Sequence, residues 1–341
     1  MFNFGSSPES HYIRTTSQLK AEVPLKFPDS GQLRFFSEIE ASKLAETVRR
    51  RNVFARHSYE NNFYLKQIAQ LGNRTIVELY KFGTPDDIYQ QAAEIAELIE
   101  SLAILSSVLV LKKDAFLRKL GVDTNVESEV DLIVASDMKF IRSRSRRKSK
   151  AAGILVNRQF QNRFAKSGFI ELFQYCQTQS DLAGRVRASA DWLLESRREA
   201  RLTASVVKTS IALESLLIFQ ESESLARSLS ERAAFILTPD PAMRHLIARI
   251  INQFYDARSG VVHGGRRKAK RLSGALVESV DRLSLLLYLV IAANRKLWPN
   301  VETLRTWCEE QRWGAPSINV KVPFSRSYLK NAVALSGVDG S

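Results

Sequence analysis

Wound as a helix, the run Leu283-Ser-Leu-Leu-Leu-Tyr-Leu-Val-Ile-Ala-Ala293 is apolar around almost its whole circumference. A helix of that kind is buried on every side. Its eleven residues end at Asn294, Arg295 and Lys296, well short of the roughly twenty apolar residues that a membrane span requires. The run therefore needs other helices around it, as the centre of a bundle or as part of a dimer interface. A second apolar stretch, Ile95 to Leu111, is interrupted by Glu97 and Glu100. The first twenty residues are polar and lack the apolar core of a signal peptide. These features give the expectation of a soluble cytoplasmic protein with no membrane partner.

Neighbours for the apolar helix are abundant in the second half of the chain. Start, stop and periodicity signals predict helices over Asp181 to Arg198, Thr203 to Ser222, Ser224 to Leu237, Pro241 to about Val262, Gly274 to Leu297 and Val301 to Gln311. Thr238-Pro-Asp-Pro241 breaks the series, with Asp240 placed to cap the helix that Pro241 opens. The first half reads differently. Alternation from Thr75 to Phe82 predicts a half-buried strand, and Val130 to Ala135 and Gly153 to Val156 are short β-branched runs of similar character. Thr84-Pro-Asp-Asp87 opens a helix that extends toward Leu120. The fold class is thus α+β. A mixed α/β domain over residues 1–180 precedes an all-α bundle over 181–315 and a loosely patterned tail over 316–341, read as a strand or as disorder.

Charge narrows the function. Fifty Lys and Arg against 36 Asp and Glu give a net charge of +14, which favours a polyanionic partner. One basic cluster is Arg142, Arg144, Arg146, Arg147, Lys148 and Lys150, read as a solvated loop; the other is Arg266, Arg267, Lys268, Lys270 and Arg271. Each is either a solvated surface or a phosphate contact. Two cysteines, Cys176 and Cys308, exclude a disulfide framework and a cysteine-rich metal site. No Walker loop, Rossmann fingerprint, His-Glu-x-x-His motif or Cys/His zinc spacing is present. No cofactor and no metal are expected.

The segment Phe254-Tyr-Asp-Ala-Arg-Ser-Gly-Val-Val-His-Gly-Gly265 holds the candidate chemistry. Met243, Leu246, Ile247, Ile250, Ile251 and Phe254 form an apolar stripe, and Arg258 continues it one turn on. Glu214 lies on a line with Val207, Ile211 and Ile218. A carboxylate and a guanidinium on the inner faces of two helices invite pairing, because neither tolerates burial uncompensated. That pair alone also reads as a structural tie between helices. Arg258 and His263 are five residues apart, about 140° around a regular helix. For both to serve one site, the helix must distort or end between them, with Gly260 relaxing the backbone, or a second subunit must complete the site. Otherwise His263 is a helix C-terminal residue stabilised by the dipole. Tyr255 is either a stacking platform for a base or a core aromatic.

Arg258 followed after four residues by His263 looks like the R-x4-6-H signature of the HEPN superfamily. The spacing by itself recurs at Arg50 and Arg51 with His57, so the weight falls on an ordered combination. Ile211-Ala-Leu-Glu-Ser-Leu-Leu217, then Tyr255 three residues before Arg258-Ser259, then His263-Gly264, resembles the Apea-like HEPN group over residues 182–315. The resemblance implies a HEPN-like helical bundle and metal-independent RNA cleavage, with the 2′-hydroxyl of the RNA as nucleophile. Under it His263 is general acid or base, Arg258 holds the scissile phosphate, and Glu214 and Ser259 complete the catalytic set. Ser259 stands where the wider superfamily carries Asn, Asp or His, and it cannot act as a base. The resemblance further implies RNA as partner, a homodimer through the helical domain, and a toxin or anti-phage defence setting with a phage or antitoxin partner. The alternative is a catalytically inactive HEPN-like module that binds RNA or protein.

Overall fold

The computed structural model describes residues 9–16, 19–28, 31–50, 65–82, 85–110, 126–135, 141–149, 154–199, 201–220, 224–263, 272–314 and 320–338. The chain divides into two compact units, Met1–Ile104 with Val122–Asn162, and Leu105–Gly121 with Arg163–Ser341. The architecture is α+β, and none of the described helices is long and apolar enough to cross a membrane.

The first unit is built on strands β1 (Glu9–Thr16), β2 (Leu19–Ala21), β3 (Leu25–Phe27), β4 (Gly31–Phe36), β5 (Arg74–Phe82), β6 (Val126–Ala135), β7 (Ile141–Ser149) and β8 (Ile154–Val156). Six of them form an antiparallel sheet in the order β3-β4-β5-β1-β6-β7, while β2 and β8 pair in parallel. Helix α1 (Glu38–Arg50) covers one face, packing Ala41, Leu44 and Val48 with Ile13, Phe36, Ile76 and Leu132. On the other face lies helix α2 (Pro85–Val110). Its Tyr89 ring meets Tyr12 at 5.8 Å, Arg14 donates to Ala93 O at 3.3 Å and Thr16 donates to Glu100 Oε1 at 2.8 Å. With both faces covered, Thr75 to Leu79 are buried without interruption, so the strand expected to be half-buried is a central one. Glu78, on that strand, is 1% exposed and is gripped by Arg34 through Nε at 2.8 Å and Nη2 at 3.1 Å. Gly31 begins β4 at a close approach: a Cβ there would stand 2.0 Å from the backbone oxygen of Glu78, so only glycine fits.

The basic run expected to be a loop is strand β7, at one edge of the sheet. Its register explains the difference. Lys148 stands opposite Glu127, Arg146 opposite Glu129 and Arg144 opposite Asp131. Opposite charges directly across an antiparallel pair favour the ladder, and a strongly basic edge resists pairing with further strands. The residues opposite the run lie on β6, outside the run itself.

The second unit is helical. It contains α4 (Phe169–Cys176), α5 (Asp181–Arg198), α6 (Leu202–Leu217), α7 (Leu225–Leu237), α8 (Pro241–Val262), α9 (Gly274–Ala293), α10 (Val301–Arg312) and α11 (Arg326–Leu335); α3 (Arg158–Lys166) straddles the boundary between the units. Every residue from Leu276 to Ala292 of α9 is buried, and α4, α5, α6, α7, α8 and α11 pack around it. The apolar helix is therefore the centre of the bundle. Three expectations are corrected. Helix α6 stops at Leu217, not Ser222, because Arg232 donates to Leu217 O (2.6 Å) while Arg185 donates to Ser215 O (3.0 Å) and Ile218 O (2.7 Å). These arginines satisfy the orphan carbonyls of the last turn. Helix α9 stops at Ala293 because the Asn294 side chain turns back to Val290 O at 2.7 Å and holds Lys321 through both its amide atoms. The tail forms helix α11, started by Ser325 and docked through Leu329, Ala332 and Val333. The expected extension of α2 toward Leu120 falls outside the described residues.

Candidate active site on helices α6 and α8

Asp240 caps α8, accepting from Ala242 N at 3.0 Å, and Pro241 fixes its first turn. The inner stripe then buries Ile247, Ile250, Ile251 and Phe254. Tyr255 and Arg258 follow on the side that meets α6. The Tyr255 hydroxyl shares its proton between Ser210 O at 3.2 Å and Glu214 Oε1 at 3.0 Å. Arg258 donates through Nε to Ser210 Oγ at 3.4 Å and sets Nη2 3.8 Å from Glu214 Oε1. Ser210 Oγ in turn donates to Val207 O at 2.7 Å.

The expected pairing of Glu214 and Arg258 is thus present, though not at full burial. Each side chain is 24% exposed. Val207, Ile211 and Ile218, which share its line, are likewise half-buried, and the fully buried face of α6 is the one carrying Val206, Leu213 and Leu217. A partly exposed pair at 3.8 Å contributes at most about 1 kcal/mol to stability. The guanidinium is held in place and still accessible. Tyr255 is 6% exposed, so its ring is a core aromatic and offers no face for a base to stack on. Burial, reinforced by the carboxylate of Glu214, pushes its hydroxyl far above the ordinary tyrosine range, so it acts only as a hydrogen-bond donor.

His263 caps α8 at its C-terminus and is exposed. Its backbone N–H still donates to Ser259 O at 3.0 Å. The helix runs without a break through Gly260 and ends only at Val262. The expected distortion at Gly260 is therefore absent, because Gly260 is buried inside an intact turn; the other expected course, an end to the helix between Arg258 and His263, is met at Val262. Helical register places His263 about 140° around the axis from Arg258 and about 7.5 Å along it. Ser259 is half-buried beside Arg258 and its carbonyl is the one His263 uses. Arg266, Arg267, Lys268, Lys270 and Arg271 lie outside the described residues. The basic residues of β7 belong to the first unit.

A buried polar network, not anticipated from the sequence, adjoins this site. Arg197 donates to Asp281 Oδ2 at 2.7 Å and to Glu278 Oε2 at 3.0 Å, and Arg282 donates to Glu278 Oε1 at 3.1 Å. Thr209, next to Ser210 on α6, donates to Asp281 Oδ1 at 2.9 Å and lies 2.7 Å from the Ser196 hydroxyl. Burial by itself would raise the Glu278 carboxyl; the charges of Arg197 and Arg282 outweigh it and hold the group below the usual carboxylate range. The available signal was Glu278, Asp281 and Arg282 at i, i+3, i+4 heading the most apolar helix of the chain. Among the described residues, no three His, Cys, Asp or Glu side chains gather where a metal ion could be held. No family model, curated protein or solved structure matches the chain.

Proposed function

We propose that this chain is an endoribonuclease of HEPN type that works without a metal, in a toxin or anti-phage defence setting, with its reaction centre on α8. The observation that carries the reading is the seating of Arg258, a guanidinium fixed by Ser210 and Glu214 and still open to an anion. The 2′-hydroxyl of the RNA attacks the adjacent phosphorus while the bond to the 5′-oxygen breaks. The products are a 2′,3′-cyclic phosphate and a free 5′-hydroxyl. His263 moves the proton, taking it from the nucleophile or giving it to the leaving oxygen. Arg258 stabilises the negative charge that grows on the phosphoryl oxygens. Glu214 and Tyr255 are positioning residues: the tyrosine hydroxyl orients the carboxylate, and the carboxylate orients Arg258. Because a regular α8 sets Arg258 and His263 on different faces, the reading requires a homodimer that brings two copies of this segment to one cleft. The run from Arg266 to Arg271, three residues past His263, serves the RNA backbone.

A second reading, a regulatory module that binds RNA or protein without cleaving, is favoured by the same ion pair, since Arg258 already has partners within its own chain. The two readings part in one experiment. RNA is incubated in the presence of a chelator with the parent protein, Arg258→Ala and His263→Ala, and ends are analysed. The expected result is cleavage by the parent, with loss of about 100-fold or more in each variant. Equal cleavage by all three proteins overturns the site. Salt-sensitive binding without product establishes the second reading, and cleavage that stops on chelation establishes a metal mechanism instead.

A further inference from the structure

A cleft of about 620 Å³ opens in the helical unit, away from Arg258, and is lined by α11, by the end of α2, by Arg163 and by Arg282. Its size is that of a pocket for a small organic ligand. Two features, Arg163 and the start of α11, give it a positive sign. Arg163 donates Nη1 to Val110 O at 2.7 Å and makes no ion pair among the described residues, so no carboxylate neutralises it at the cleft. Arg282 lines the cleft with its Nε fixed on Glu278, which Arg197 also holds. Ser325, the cap of α11, lines it as well, so the first turn of that helix opens on the same space and adds the positive end of its dipole. No carboxylate is among the described lining residues. The remaining wall suits a planar organic body: Tyr328 and Leu335 supply apolar surface, and the amide of Asn331 both donates and accepts.

We propose that this cleft binds a nucleoside monophosphate, with its phosphate between Arg163 and the first turn of α11 and its base toward Tyr328 and Asn331. One phosphate supplies the charge that Arg163 lacks. The floor is preorganised, because Glu278 is held by Arg197 as well as by Arg282 and does not need to move when an anion arrives. The assignment does not depend on the nuclease reading; the two are measured in separate assays and either can stand without the other.

The test uses the full chain. Thermal unfolding is followed with AMP, GMP, CMP and UMP, each compared with its parent nucleoside, and affinities are then measured by calorimetry. At least one nucleotide is expected to raise the unfolding temperature where its nucleoside does not. Arg163→Gln is expected to weaken binding by about tenfold or more, the effect of losing a charge-assisted hydrogen bond. Asn331→Leu, which removes no bond within the protein, is the second variant and is expected to weaken binding while leaving the unliganded unfolding temperature in place. The absence of a shift with all four nucleotides overturns the proposal. An equal shift with the matched nucleosides overturns the phosphate assignment, and unchanged affinity in both variants overturns the placement in this cleft.

Discussion

Replacing Arg197 by Met removes the guanidinium that Asp281 and Glu278 share. Asp281 is 0% exposed and Arg197 3%, so solvent does not screen the loss. Glu278 keeps Arg282, whereas Asp281 loses the guanidinium that stood 2.7 Å away and retains the hydroxyl of Thr209. Breaking a buried pair from one side costs about 3–5 kcal/mol, a large part of the roughly 5–15 kcal/mol that holds a domain together. All four tryptophans, Trp192, Trp298, Trp307 and Trp313, lie in the helical unit, so selectively excited tryptophan fluorescence follows that unit. The expected result of Arg197→Met is a urea midpoint lower by about 1 M or more. Arg197→Met with Asp281→Asn recovers much of the loss, because no buried charge then stands uncompensated. The pH dependence follows from Glu278, whose carboxyl is held below its ordinary value of 4.5. A depressed carboxyl contributes stability that is complete above its unfolded pKa and is lost as pH falls through the folded one. The parent should therefore lose stability below about pH 4.5, and Arg197→Met should lose less over the same window. A midpoint for Arg197→Met within experimental error of the parent would refute the reasoning.

Other outcomes are expected elsewhere in the chain. Gly31→Ala places a methyl 2.0 Å from Glu78 O, so the β3–β4–β5 part of the sheet should be destabilised by about 1–3 kcal/mol, visible as an earlier loss of strand signal in circular dichroism. Burial pushes the thiols of Cys176 and Cys308 up to about 12. An aromatic disulfide reagent at pH 8 should label neither in the folded protein and both after denaturation, and fast labelling of the native chain would contradict their burial.

Much of the helical unit was legible because its signals are local. Asp181 to Arg198 and Pro241 to Val262 carry their apolar spacing within themselves, the second with its cap at Asp240, and the structure places α5 and α8 at those bounds. The run from Leu283 to Ala293 required burial on all sides, and α9 is buried on all sides. The pairing of Glu214 with Arg258 was legible, since each lies on an apolar line of its own helix. Their separation, the proton that Tyr255 shares, and the 24% exposure left to both side chains depend on how α6 meets α8.

What the sequence determined by itself is therefore the helix content of the second half, the all-round burial of α9 and the identity of the residues that could pair. Tertiary structure alone decided that the basic run is a strand, that α6 ends at Arg232 and Arg185, that the tail is a helix on α9, and that six polar side chains from α5, α6 and α9 close into one buried network. The reason is distance along the chain. A cap or an apolar stripe is written within a few turns, whereas the acids opposite β7, the arginines that stop α6 and the partners of Asp281 lie many residues away and act only once the chain has folded.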